Sequence, residues 1–389
     1  MPIRNRFAEL QDKLTAWRRD IHTHPELRFT ETRTAGLVAK RLRSFGVDEV
    51  HEGFGKTGVV AVIRGRTDES GTVLGFRADM DALPITEATG LDYASQTPGI
   101  MHACGHDGHT TMLLGAAQYL AETRNFDGTV VLIFQPAEEG GGGARAMLKE
   151  GLIEKFGIDE FYGMHNWPGV EAGHFALREG PQMSAAGAFE ITVRGKGGHG
   201  AMPHLAVDTT LAASQIVSAL QSVVARNVDP LKSAIISVCG ITSDTDTYNV
   251  IPDEVSLKGT TRYLDKEIGA LIHERLPAIA RSTAEAYGAS ARVRWLEGVP
   301  PTVNSPEGAS HAAKAAEAVT GKPPLEIDPV MPAEDFSEML EARHGAYIFI
   351  GNGPSADLHN PAYNFNDDIL PAGASFFAEL AESRMPVRD

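Results

Sequence analysis

Cysteine is scarce in this chain, with Cys104 and Cys239 the two in 389 residues. So few exclude a disulfide-built scaffold and point to a reducing, cytoplasmic compartment. Long apolar runs are missing as well. No stretch approaches the ~20 apolar residues of a membrane span, and the charged, amphipathic first 20 residues lack the apolar centre of a secretory signal. Positive charge is in deficit: 35 Lys and Arg against 51 Asp and Glu leave a formal net charge of −16. Such a chain suits nucleic-acid backbones poorly. Neither nucleic acid nor membrane is therefore expected as a partner. What is present is ordinary globular composition, 42% hydrophobic and 22% charged, over a length that favours two domains.

Phe7, Leu10, Leu14 and Trp17 recur at helical spacing, and residues 34–45 do the same before stopping at Gly46. Residues 59–64 and 72–77 read as short buried strands, and 78–105 as loop. A helix is expected from near His109 to Thr123, then a strand over 129–135 and a polar, glycine-rich turn over 136–143. This alternation predicts an α/β domain with helices around a central sheet. The character changes near Gly187. Strands at 188–194, 234–240, 254–263 and 291–297 alternate with helices at 205–226 and 266–287. The order β-α-β-β-α-β is that of a split βαβ, ferredoxin-like α+β unit. The expected organisation is a first domain of residues 1–186 and 297–389, with a second domain of 187–296 inserted in it.

The densest chemistry lies in MHACGHDGH (101–109). Thiolate and imidazole both bind borderline metals such as zinc, and Cys104 and His106, two apart, can point to one side of an extended loop. In QPAEE (135–139), one carboxylate can hold a metal while its neighbour moves protons. His165 in GMHNWP (163–168) and His359 in LHNP (358–361) gain meaning only in that company. FRADMD (76–81) follows a buried strand, where an Asp can orient a ligand imidazole. GKGGHG (195–200) holds His199 among glycines but lacks the pattern of a phosphate loop. Cys104, His106, Glu139, His165 and His359 outnumber the three ligands of a single catalytic zinc, so two ions sharing a bridging ligand fit the count better. A thiol hydrolase with Cys104 as nucleophile and His106 or His109 as base is one alternative. A non-catalytic metal-binding protein is another, but it has no need of the free base that Glu138 beside Glu139 offers.

The segments HACGHDGH (102–109), QPAEEGGGGA (135–144), GMHNWP (163–168), GKGGHGAMPH (195–204) and LHNPAYNFND (358–367) together resemble the M20 metallopeptidase family. More narrowly they resemble its M20D amidohydrolases, the hippurate, N-acyl-amino-acid and auxin-conjugate hydrolases. RRDIHTHPEL (18–27) and FRADMDALPI (76–85) match too, so the resemblance spans nearly the whole chain. It implies two divalent ions per subunit, manganese or zinc, with nickel or cobalt as alternatives. Cys104 would bridge them, and His106, Glu139, His165 and His359 would complete the ligands. Glu138 would be the general base. Asp79 would orient a ligand; Arg77 replaces the His that the wider family carries two residues before it, a departure shared by the M20D branch, so His106 would take over as ligand. The inserted domain would be a lid that mediates homodimerisation. On it, His199 would stabilise the oxyanion, and Asn249 and Arg262 would meet the substrate's carboxylate or carbonyl. The family does not use His22 or His24 as ligands. The implied activity is hydrolysis of N-acyl amino acids, with a dipeptidase or carboxypeptidase of the same family as the alternative.

Overall fold

A computed structural model describes residues 3–387, so residues 1–2 and 388–389, which the sequence reading assigned to the first domain, lie outside the described residues. The chain divides into two compact units.

The first unit, residues 1–180, 303–328 and 335–389, is built on an eight-stranded sheet. Its order is Glu49–Phe54, Gly58–Arg64, Thr129–Gln135, Val73–Asp79, Glu160–Pro168, His344–Gly353, Phe175–Leu177 and Leu325–Glu326. The four central strands are mutually parallel. Gly58–Arg64 and Thr129–Gln135 are almost continuous apolar runs, buried along nearly their whole length, as a sheet covered on both faces requires. The helix His106–Thr123 is buried over residues 106–120, which is why it shows no polar stripe. Phe7, Leu10 and Leu14 of the first helix, Ile3–Thr23, join this core. Helix Thr32–Phe45 ends where expected, with Gly46 in the left-handed conformation at φ 77°.

Connectivity matters for function. From Val73–Asp79 the chain crosses to Thr129–Gln135 on one side, then returns to Glu160–Pro168 on the other. Such a reversal parts the loops beyond the carboxyl ends of the strands and opens a crevice there.

The second unit comprises residues 181–302 and 329–334, wider than the expected 187–296. Its first strand, Ala185–Arg194, starts earlier than the sequence indicates, and its last, Ser290–Val299, ends later. Residues 329–334 join because the Ser184 N–H donates to the Val330 carbonyl at 3.1 Å and the Ser184 hydroxyl to that of Met331 at 2.6 Å. Pairing between segments so distant in sequence leaves no local signal. The sheet order is Ala234–Ser243, Glu254–Tyr263, Ala185–Arg194, Ser290–Val299, antiparallel throughout, as in a ferredoxin-like unit. Phe189, Ile191 and Val193 alternate inward onto Ile216 and Leu220 of helix Thr209–Asn227 and Ile272 and Leu276 of helix Lys266–Ala286. Asp208 and Asp265 cap these helices.

Candidate active site

The chemically distinctive residues of the first unit collect at the carboxyl ends of its parallel strands. Asp79 ends one strand, Glu138 and Glu139 follow another, His165 lies near the end of a third, and His359 follows the fourth. Cys104 and His106 sit where the helix His106–Thr123 begins. That helix starts three residues before the expected His109. Gly105 permits this with φ 93°; a Cβ there would stand 2.1 Å from Asn166 Oδ1. Cys104 and His106 are thus brought together by a glycine hinge and a first helical turn, not by an extended loop.

Ligand atoms of Cys104, His106 and His165 lie within 4.8 Å of one another, and so do those of Cys104, Glu139 and His359. The thiol belongs to both triads. His165 Nδ1 donates to the Asn166 carbonyl at 2.7 Å, which leaves Nε2 as a lone pair facing Cys104 Sγ at 3.4 Å. Burial, then the neighbouring His109, holds the His165 imidazole well below its ordinary pKa, hence neutral. His106 Nδ1 is committed to the Asp81 carbonyl at 2.9 Å, while its Nε2 is buried with no hydrogen-bond partner. Glu139 Oε1 is likewise buried and unbonded; it lies 3.1 Å from His359 Nε2 but outside hydrogen-bonding alignment. Orphaned, inward-pointing nitrogen and oxygen beside a thiol are the donor set of a borderline divalent ion. The electrostatics agree. Burial alone would push His106 down, yet Asp79, Asp81 and Glu139 raise it to about 10. A field that favours a proton so strongly favours a cation. His359 and Ala137 also carry strained left-handed backbone, φ 63° and 54°, as functional loops often do.

Glu138 offers a carboxylate oxygen within the same 4.8 Å group as His106 and Glu139. Its backbone is pinned from beneath. The N–H groups of Ala137, Glu138 and Glu139 donate in succession to Glu31 Oε1 at 2.9 Å, Asp81 Oδ1 at 3.0 Å and Asp81 Oδ2 at 3.0 Å. Asp81 Oδ1 also lies 3.3 Å from His106 Nδ1. The carboxylate that braces the His106 ring at Nδ1 is thus Asp81. Asp79 is engaged elsewhere: it holds His109 Nδ1 at 2.6 Å and Arg77 Nη1 at 2.6 Å, and stands 3.8 Å from His106 Nε2. Burial opposes its charge, but His106, Arg77 and His109 keep it ionised, well below the usual carboxylate range. Arg77, fully buried, further reaches Gln135 Oε1 at 2.8 Å and Asp335 Oδ1 at 3.2 Å. His22 meets Asp107 at 2.8 Å, behind the cluster.

Sequence reasoning missed Asp81, Glu31 and Asn166. Asp81 lay inside the flagged FRADMD segment, two residues past Asp79. Asn166, whose backbone N–H donates to His109 Nε2 at 3.0 Å, lay beside His165. Glu31 has no sequence signal, because a lone Glu before a helix reads as a solvated cap.

His199, Asn249 and Arg262 belong to the second unit. His199 pairs with Val250 across a short two-stranded ladder, and the Gly200 N–H donates to the Asn249 carbonyl at 2.7 Å, so these two loops are neighbours. His199 is exposed, and its Nδ1 accepts the Ala201 N–H at 3.0 Å. Arg262 lies on a different strand, where it donates to the Thr261 carbonyl at 2.9 Å.

Comparison with known proteins agrees with this chemistry. Hippurate hydrolase of Campylobacter jejuni is 44% identical over 378 residues, covering 96% of this chain and 97% of that protein. Thermostable carboxypeptidase 1 of Saccharolobus solfataricus is 40% identical over 389 residues, covering 97% of each. The crystal structure of the Bacillus subtilis YXEP protein, a dinuclear metal-binding peptidase from the M20 family, matches with a TM-score of 0.86 and 35% identity, covering 97% of this chain and 99% of that one. The model of peptidase family M20/M25/M40 matches residues 75–383. This chain belongs to that family and is a metal-dependent hydrolase of amide bonds.

Proposed function

We propose that this enzyme hydrolyses the amide bond of N-acylated amino acids at a two-ion centre. Cys104, His106 and His165 would hold one ion, Cys104, Glu139 and His359 the other. The observation that carries the reading is the pair of triads sharing one thiol. Manganese or zinc suits this mixed donor set, with nickel or cobalt as alternatives. Bound there, divalent ions polarise a carbonyl and lower the pKa of water.

The chain's own residues supply the rest. Glu138, within reach of the ligands but not needed among them, takes the proton of the attacking water and returns it to the leaving amine. Asp81 and Glu31 hold its backbone at the required place. His199 serves the oxyanion: with Nδ1 accepting a backbone N–H, the neutral ring carries its proton on Nε2, free to donate. Such a donor is worth roughly 3–4 kcal/mol in comparable sites. Asn249 and Arg262 bind the carboxylate or carbonyl of the amino-acid portion, and the second unit acts as lid and dimerisation domain. Its edge strand Ala234–Ser243, with Ile235 and Ile241 exposed, supports a homodimer. Two cysteines that form no disulfide support a cytoplasmic location. Among the described residues no helix is long and apolar enough to cross a membrane.

The thermostable carboxypeptidase relative favours a second reading, cleavage of peptides at the same centre. A metal-by-substrate panel on chelator-stripped enzyme separates the two. N-acyl amino acids should be cleaved faster than dipeptides once manganese or zinc is restored. Faster dipeptide cleavage would transfer the assignment to a peptidase. Activity that survives chelation but is lost to iodoacetamide would transfer it to a Cys104 thiol mechanism. No turnover in any arm would leave a metal-binding protein without catalysis.

A further inference from the structure

Trp167 lies two residues beyond His165 on the strand Glu160–Pro168, so the two side chains share a face of the sheet. Their rings meet edge-on, with centroids 6.2 Å apart and planes at 71°. One face of the indole is stacked on Phe349, with centroids 4.2 Å apart and planes only 10° from parallel. Phe349 is fully buried and pairs with His165 in the parallel register. Trp167 itself is only partly covered. A flat apolar ring is therefore held rigidly on one side, left partly open, and set beside a candidate metal ligand at the carboxyl end of a central strand. The hydrolysis gives this residue no proton to move and no charge to stabilise.

We propose that Trp167 is the platform for the acyl group and selects benzoyl-type aromatic acyl groups over acetyl. This rests on the amidohydrolase reading above. A ring bonded directly to the scissile carbonyl must lie within about one ring's width of the residues that hold the ions, which is where Trp167 stands relative to His165. Indole and phenyl faces attract by offset stacking or edge-to-face contact beyond simple apolar burial, and an acetyl methyl cannot use that geometry. The Phe349 stack fixes the indole orientation in advance, so little freedom is lost on binding.

The test compares kcat/KM for benzoylglycine and acetylglycine in the metal-loaded wild type, W167F and W167M, with metal content measured for each. The wild type should prefer benzoylglycine. W167F should keep most of that preference, and W167M should lower the benzoyl-to-acetyl ratio by roughly 3- to 10-fold, the size of one aromatic pairing. An unchanged ratio in W167M, with both substrates falling together, would reduce Trp167 to a packing residue. A wild type that cleaves acetylglycine but not benzoylglycine would also overturn the inference and leave the amidohydrolase reading standing, whereas cleavage of neither would fail that reading itself. A measurement without variants guards against misfolding: benzoate should inhibit the wild type more tightly than acetate, and equal inhibition would count against the platform.

Discussion

Asp81 is the residue on which the candidate centre most depends without itself being positioned to bind an ion. Its carboxylate is 1% exposed and accepts the N–H groups of Glu138 and Glu139 through separate oxygens, while one of those oxygens also meets His106 Nδ1. Asp81→Asn preserves shape but replaces one acceptor with an NH₂ donor. Whichever way the amide turns, one buried N–H faces a donor and goes unsatisfied, a loss of about 1–3 kcal/mol. The charge that supports His106 as a ligand disappears too, and removing such a partner typically weakens metal affinity by about 10- to 100-fold. The expected variant is therefore folded, modestly destabilised and poor at retaining metal. Denaturant titration reads the first effect; equilibrium dialysis against limiting zinc or manganese, with elemental analysis, reads the second. Asp79→Asn is the contrast. It breaks a buried pair with Arg77, so its loss of stability should be the larger, about 3–5 kcal/mol, beside the loss of the field that Asp79 adds at His106. If Asp81→Asn loses stability but binds metal as tightly as the wild type, Asp81 is scaffold and the argument that it positions the ligands is wrong.

Glu138→Gln should keep its metals and lose about 10²- to 10⁴-fold in turnover; near-native activity would remove Glu138 as the base. Gly105→Ala should lower the melting temperature and metal content together, because the new methyl meets Asn166 Oδ1 at 2.1 Å and Tyr363 Oη at 2.8 Å on a backbone with φ 93°; an unperturbed variant would contradict the hinge. His22 gives a pH signature. Burial opposes its charge, but hydrogen bonds to Asp107 and Glu87 raise it from 6.5 to about 9. A raised histidine pKa stabilises the fold fully below about pH 6.5, and that stabilisation is lost as pH rises through about 9, amounting to roughly 3 kcal/mol. Unfolding free energy should fall across this window, and fall less in His22→Gln; parallel curves would deny the buried ion pair.

Those residues also mark what the sequence could and could not reveal. Periodicity located the strand Thr129–Gln135 to the residue, because a buried parallel strand is a local pattern of side-chain type. The half-buried, antiparallel strand Glu254–Tyr263 was located to the residue as well. The start of the helix at His106 was missed because the cause is not local: Gly105 turns left-handed where Asn166 and Tyr363 leave no room for a side chain. Cys104, His106, His165 and His359 stood out because soft and imidazole donors are uncommon, and Glu139 because it adjoins Glu138 between an apolar strand and a run of glycines; the fold then gathers them. Asp81 and Glu31 were not, because carboxylates are common and nothing in their own neighbourhood distinguishes a brace from a solvated turn. What separates them is their acceptance of three successive N–H groups from a turn 106 residues away for Glu31 and 57–58 residues away for Asp81. That turn carries Ala137 at φ 54°, a conformation that costs about 1–3 kcal/mol. Three hydrogen bonds to buried carboxylates, each stronger than a neutral pairing, are enough to offset it. The strain and its compensation lie on different segments, so only the folded chain shows why Glu138 follows a strained alanine.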